Sequence, residues 1–90
     1  PGVFTQDLRF VRPVETGSGY KIQNDEQRMM VNVGSVGQPR DGDPRSCYVV
    51  YDERVIEFRR VEYDIERTVR DINAQPDLDE YLGLRLREGR

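Results

Sequence analysis

The segment "NVGSVGQPRDGDPR", residues 32–45, constrains this chain most. It carries Gly34, Gly37 and Gly42 together with Pro39 and Pro44, so neither a helix nor a laddered strand can run through it. Apolar stretches lie on either side: "MMVNV" (29–33) reads as a buried strand, and "SCYVVYD" (46–52) begins another. The chain is therefore expected to leave a sheet, make a long shaped excursion and return to a strand. Such an excursion suits an anion-holding loop, a metal-binding loop or an elaborate turn.

The rest of the first two-thirds also reads as strands. "VFTQDLRFVR" (3–12) places apolar groups at Val3, Phe4, Leu8 and Phe10 and ends before Pro13. "ETGSG" (15–19) is a turn, and "YKIQ" (20–23) alternates with period two. A polar turn, "NDEQ" (24–27), then predicts an antiparallel hairpin of YKIQ with RMMVNV. "SCYVVYD" and "VIEFRRVEYD" (55–64) predict a second hairpin through Asp52, Glu53 and Arg54. Neither face of the latter strand is purely apolar, which suits a sheet edge guarded by charge.

The last third is helical. Asp64 is an N-cap for "IERTVRDINA", in which Ile65, Val69 and Ile72 recur at helical spacing. Pro76 stops that helix. Asp77 and Glu80 form a D-x-x-E capping pattern for a second one, and Gly89 stops it. Leu78, Tyr81, Leu82 and Leu86 are expected to turn toward the sheet. The reading is a single α+β domain or fragment over 1–90, strand-rich over 1–63, with helices over about 65–75 and 78–88.

Composition removes several functions. The chain has no histidine, which takes away the commonest general base and transition-metal ligand. Its net charge is −3, against general nucleic-acid binding. Cys47 is the only cysteine, so no internal disulfide forms, and a cysteine in an apolar run is ordinarily small core filler. No apolar run has the length of a membrane span and no signal peptide is visible, so a soluble, cytoplasmic protein is expected. The first residue is Pro1, which suggests a processed chain or a piece of a longer one.

Lys21 is the only lysine among 14 basic residues, so arginine carries the positive charge. Arg40 and Arg45 flank D-G-D-P, where glycines let backbone amides approach a phosphate or carboxylate. Alternatively, the two arginines pair with Asp41 and Asp43 and pin a tight connection. No G-K-[ST] follows, so the segment is not a P-loop. Asp41 and Asp43 supply only part of a calcium loop. Ser35 has no histidine to activate it and reads as a turn residue. Tyr20, Tyr48, Tyr51 and Tyr63 could stack bases, but at strand spacing in an acidic chain they read as packing residues. The residues by themselves give an α+β domain without an identifiable active site.

Three stretches carry a resemblance. "NVGSVGQPRDGDPRSCYVVYD", "FRRVEYDIERTVRDI" and "LGLRLREG" resemble the C-terminal end of bacterial calcineurin-like metallophosphoesterases, across residues 32–89. Members of that family carry N-P-G-S-V-G-Q-P-R-D-G-D-P-R-like segments; Val33 replaces the proline. The resemblance implies strands from the C-terminal part of a β-sandwich. It places the family's G-H-x-H, D-x-H, G-D and G-N-H-D/E motifs upstream of Pro1. It implies two divalent ions (such as Mn, Fe, Zn or Ni) in the parent, none of them held by this chain. By the same resemblance Asn32, Gly34 and Ser35 would support the site, and Arg40 and Arg45 would contact a substrate phosphate or brace the loop.

The resulting expectation is the C-terminal fragment of a dinuclear-metal phosphoesterase, inactive without the missing N-terminal catalytic part. The parent's substrate would carry phosphate, and exposed strands could pair as a homodimer. The alternative is a stand-alone, non-catalytic module that binds anions, nucleotides or proteins.

Overall fold

A computed structural model describes residues 1–13, 19–22 and 28–90. Six strands precede two helices: β1 (Gly2–Thr5), β2 (Phe10–Val11), β3 (Gly19–Lys21), β4 (Met29–Asn32), β5 (Ser46–Tyr51), β6 (Val55–Val61), α1 (Ile65–Asn73) and α2 (Tyr81–Glu88). The fold is α+β, with two three-stranded antiparallel sheets ordered β2-β1-β4 and β3-β6-β5. The chain organises into two compact units, residues 1–34 with 47–60, and residues 35–46 with 61–90.

In the first unit, alternation along β1 sends Val3 inward and Phe4 outward. Val3 is fully buried opposite Val11 on β2 and Val31 on β4. It joins Ile56 and Phe58 of β6 in one core, against which Tyr20, Ile22, Met29 and Val49 pack. Both sheets therefore contribute to the same apolar centre. The outer side of the first sheet is also apolar. Phe4 lies opposite Phe10 and Met30, with the two phenyl centroids 4.5 Å apart. These side chains remain 40%, 43% and 65% exposed, respectively.

Three strand expectations change. "VFTQDLRFVR" is a hairpin rather than one strand, because Thr5 and Asp7 satisfy local hydrogen bonds. The Thr5 hydroxyl donates to the Asp7 carboxylate, and the Thr5 N–H donates to the Arg9 carbonyl at 2.8 Å. The expected YKIQ–RMMVNV hairpin does not form: β3 lies against β6 and β4 against β1, in different sheets. Alternation alone could not choose between these partners. Of the turns expected at 15–19 and 24–27, all but Gly19, which opens β3, lie outside the described residues. Finally, β6 is the middle strand of its sheet, not an edge. Its charged positions are accommodated by pairing: Arg59 donates to Glu57 through Nε and Nη2 at 3.1 and 3.2 Å, while Ile56 and Phe58 fill the core. The β5–β6 hairpin does form. The Asp52 carboxylate accepts from the N–H groups of Arg54 and Val55 at 2.7 and 2.8 Å. Those two bonds hold its pKa below the usual carboxylate range.

In the second unit, Asp64 caps α1 by accepting from the Arg67 N–H at 3.1 Å. The helix pair is close because Gly83 lacks a side chain: a Cβ there would lie 3.1 Å from Val69 Cγ1. Arg87 forks onto Glu66 with two 2.8 Å bonds. The second helix begins at Tyr81 rather than 78. Asp79, not Asp77, supplies the local acceptor, taking the Tyr81 N–H at 2.8 Å. Leu86 is buried and Leu82 half-buried, whereas Leu78 and Tyr81 are 44% and 49% exposed. No helix among the described residues is long and apolar enough to cross a membrane.

Leu8 has φ 65° and is 96% exposed, so it bears left-handed strain without burial in return. Leu8→Gly should raise stability by about 0.5–1 kcal/mol, measured by urea denaturation.

Candidate functional site

The glycine–proline segment is built from short side-chain-to-backbone bonds. At its start, Asn32 Oδ1 accepts from the Gly34 N–H at 2.9 Å, an Asx turn that directs the chain out of β4. Gly34 has φ 82°, and an added Cβ would fall 2.7 Å from Cys47 Sγ and 2.9 Å from its Cβ. Cys47 is itself buried, and its thiol donates to the Val33 carbonyl at 3.4 Å. The glycine thus answers both a backbone conformation and a lack of space.

Beyond it, the Ser35 hydroxyl accepts from the Gln38 N–H at 2.8 Å, and Ser46 Oγ closes the loop by donating to the Val36 carbonyl at 2.6 Å. Pro39 is buried between these two closures in the sequence. Arg45 does not project away from the loop. It forks onto Asp43, with Nη2 to Oδ2 at 2.7 Å and Nε to Oδ1 at 3.1 Å, while its own N–H reaches Oδ1 at 3.0 Å. The hydrogen bonds to Asp43, and then its charge, push the Arg45 pKa upward. Both side chains are partly exposed, so this pair fixes geometry more than it adds stability.

Arg40 differs. Its side chain is exposed, and its Nη2 reaches Gln38 Oε1 at a long 3.4 Å when the amide is placed one way. In the opposite placement the Gln38 oxygen faces the Arg85 guanidinium, accepting from its nitrogens at 2.7–2.9 Å. The shorter contacts make Arg85 the partner of Gln38 and leave Arg40 directed to solvent. The tip of the loop is held elsewhere: the Gly42 N–H donates to the Gly89 carbonyl at 2.9 Å.

The five residues singled out from the sequence therefore divide between the units. Asn32 and Gly34 share the turn in the first, while Ser35, Arg40 and Arg45 stand on the loop of the second. Arg45 has the bracing geometry and Arg40 the outward one. Arg85 and Gly89 escaped sequence reasoning because they are remote in the chain. Gly89 read only as a helix stop, and nothing in the spacing ties Arg85 to Gln38. Among the described residues, no group of three or more Asp, Glu, Cys or His side chains converges. These side chains do not fit a two-metal centre, and no chemical step through metal is derived from them.

No known family profile matches the chain. It is 47% identical over 73 residues to an uncharacterized protein of Methanocaldococcus jannaschii, a match covering 78% of this chain and 30% of that protein. Its fold is similar along the whole chain to the crystal structure of a metallophosphoesterase from Sphaerobacter thermophilus, at a TM-score of 0.81 and 31% identity. That match covers 39% of the Sphaerobacter chain. The present chain thus spans well under half of either protein. Its fold is metallophosphoesterase-like.

Gly34→Ala should cost roughly 2–4 kcal/mol, combining left-handed strain with overpacking against a buried cysteine. Chemical denaturation checks the magnitude, and Gly37→Ala is the control: Gly37 has no atom within 4 Å of an added Cβ.

Proposed function

We propose that this chain is the C-terminal portion of a metal-dependent phosphoesterase and has no hydrolytic activity by itself. The observation that carries the reading is the full-length match to part of a metallophosphoesterase. In this reading the preceding part of the parent supplies the ligands for two divalent ions, such as Mn, Fe, Zn or Ni. When bound there, two such ions would supply Lewis-acid stabilisation of charge at a phosphoryl group.

What this chain contributes is shape and charge at the rim. Asn32 and Gly34 turn the backbone away from β4, Ser35 starts the loop, and Arg45 braces it through Asp43. This reading assigns Arg40, whose side chain is exposed, to a substrate phosphate as a planar, two-pronged donor. The apolar outer side of Phe4, Phe10 and Met30 is the surface that the rest of the parent would cover, or that would pair in a homodimer without it. The reading carries a cytoplasmic location with it.

The test joins this chain to the part of the Sphaerobacter thermophilus enzyme that it does not match. Hydrolysis of bis(p-nitrophenyl) phosphate is then assayed with Mn²⁺. The chimera should be active and the isolated chain inactive. Arg40→Ala in the chimera should lower kcat/KM by about tenfold, on the order of 1.4 kcal/mol of transition-state stabilisation. Metal-dependent hydrolysis by the isolated chain would contradict the proposal, and an unaltered Arg40→Ala chimera would remove Arg40 from the rim.

A further inference from the structure

We infer that Gly89, the left-handed cap of α2, is the positioning residue of the arginine loop, seating the backbone of Gly42 and Asp43 and thereby fixing where Arg40 stands. This deepens the rim reading given above and rests on it for the loop's purpose, although the seat is defined by geometry alone.

A glycine at φ 68° after a helix ordinarily needs no explanation beyond the cap, and asparagine often replaces it. Gly89 is under a second constraint. It is buried, and a Cβ there would lie 2.7 Å from both the N and C atoms of Asp43 and 2.8 Å from the C of Gly42. Those are main-chain atoms, which cannot swing aside as a side chain can. The Gly42 N–H also donates to the Gly89 carbonyl at 2.9 Å, so the two backbones are joined as well as packed. Gly42 shows the opposite balance: its φ is 87°, but nothing lies within 4 Å of an added Cβ. The close approach is therefore demanded by the helix end and not by the loop tip.

One turn earlier on the same helix, Arg85 holds the side chain of Gln38. Arg40 lies midway in the chain between the two held positions, Gln38 and Gly42. An arginine loop with three glycines would otherwise sample many placements, and holding both neighbours confines it without engaging the guanidinium itself.

The test measures amide hydrogen exchange at Gly42 and titration with inorganic phosphate, in Gly89→Asn and in a chain ending at Glu88. Asparagine accepts the left-handed conformation but adds the offending Cβ; the shortened chain loses the Gly89 carbonyl and places no Cβ against Gly42 and Asp43. Gly42 exchange should quicken at least about tenfold in both, with the buried Val69 amide unchanged, and phosphate affinity should fall about tenfold. A role confined to capping predicts that Gly89→Asn behaves as wild type, and unchanged Gly42 exchange in both variants would overturn the inference. So would faster exchange with undiminished phosphate affinity, because Arg40 would then not depend on the seat. A wild-type chain that binds no phosphate ends the rim reading. Exchange at Gly42 still decides the seat in that case.

Discussion

Two places where backbone must approach other atoms too closely for a side chain organise the glycine-rich segment. At its start Gly34 turns against Cys47, and at its tip Gly42 and Asp43 lie on Gly89. Such contacts discriminate more sharply than hydrophobic burial, because a single added carbon cannot be absorbed by rotamer changes. The second of them ties a segment lying between β4 and β5 in sequence to the end of α2. The prolines stiffen it, the Ser35 and Ser46 hydroxyls close it, and Arg45 is spent on Asp43. What remains outward is Arg40.

The core that supports this arrangement is small. Six hydrophobic residues are buried among those described, whereas thirteen large ones are substantially exposed. Single exposed apolar residues are ordinary, but Phe4, Phe10 and Met30 are neighbours on one sheet side. A chain of ninety residues buries proportionally little of its surface even when its fold is optimal. The metallophosphoesterase-like fold spans 39% of its structural relative.

Local chemistry made part of this legible from sequence. Asp64 as a cap, the Asp52 turn, Cys47 as buried filler and the helical stripe through Val69 each depend on neighbours within a few residues. What could not be read was pairing at long range. The same alternation in "YKIQ" fits either β4 or β6 as partner, and the mixed faces of β6 look like an edge until Glu57 and Arg59 are seen to pair. The second helix begins late because Asp79 offers a nearer acceptor than Asp77. Of the candidate site, the residue types were evident and their roles were not. Arg40 and Arg45 are alike in sequence, and only the position of Asp43 makes Arg45 the one that braces the loop. The part played by Gly89 has no sequence signature, since a cap and a seat require the same residue.

The most direct measurement is the coding sequence immediately upstream of the Pro1 codon in the source gene. The account predicts an in-frame G-H-x-H just before it, with D-x-H and G-N-H motifs farther upstream, supplying the metal ligands this chain does not bring together. An initiation codon adjoining Pro1, with none of those motifs preceding it in frame, would contradict the account and leave a free-standing domain without the chemistry of its relatives.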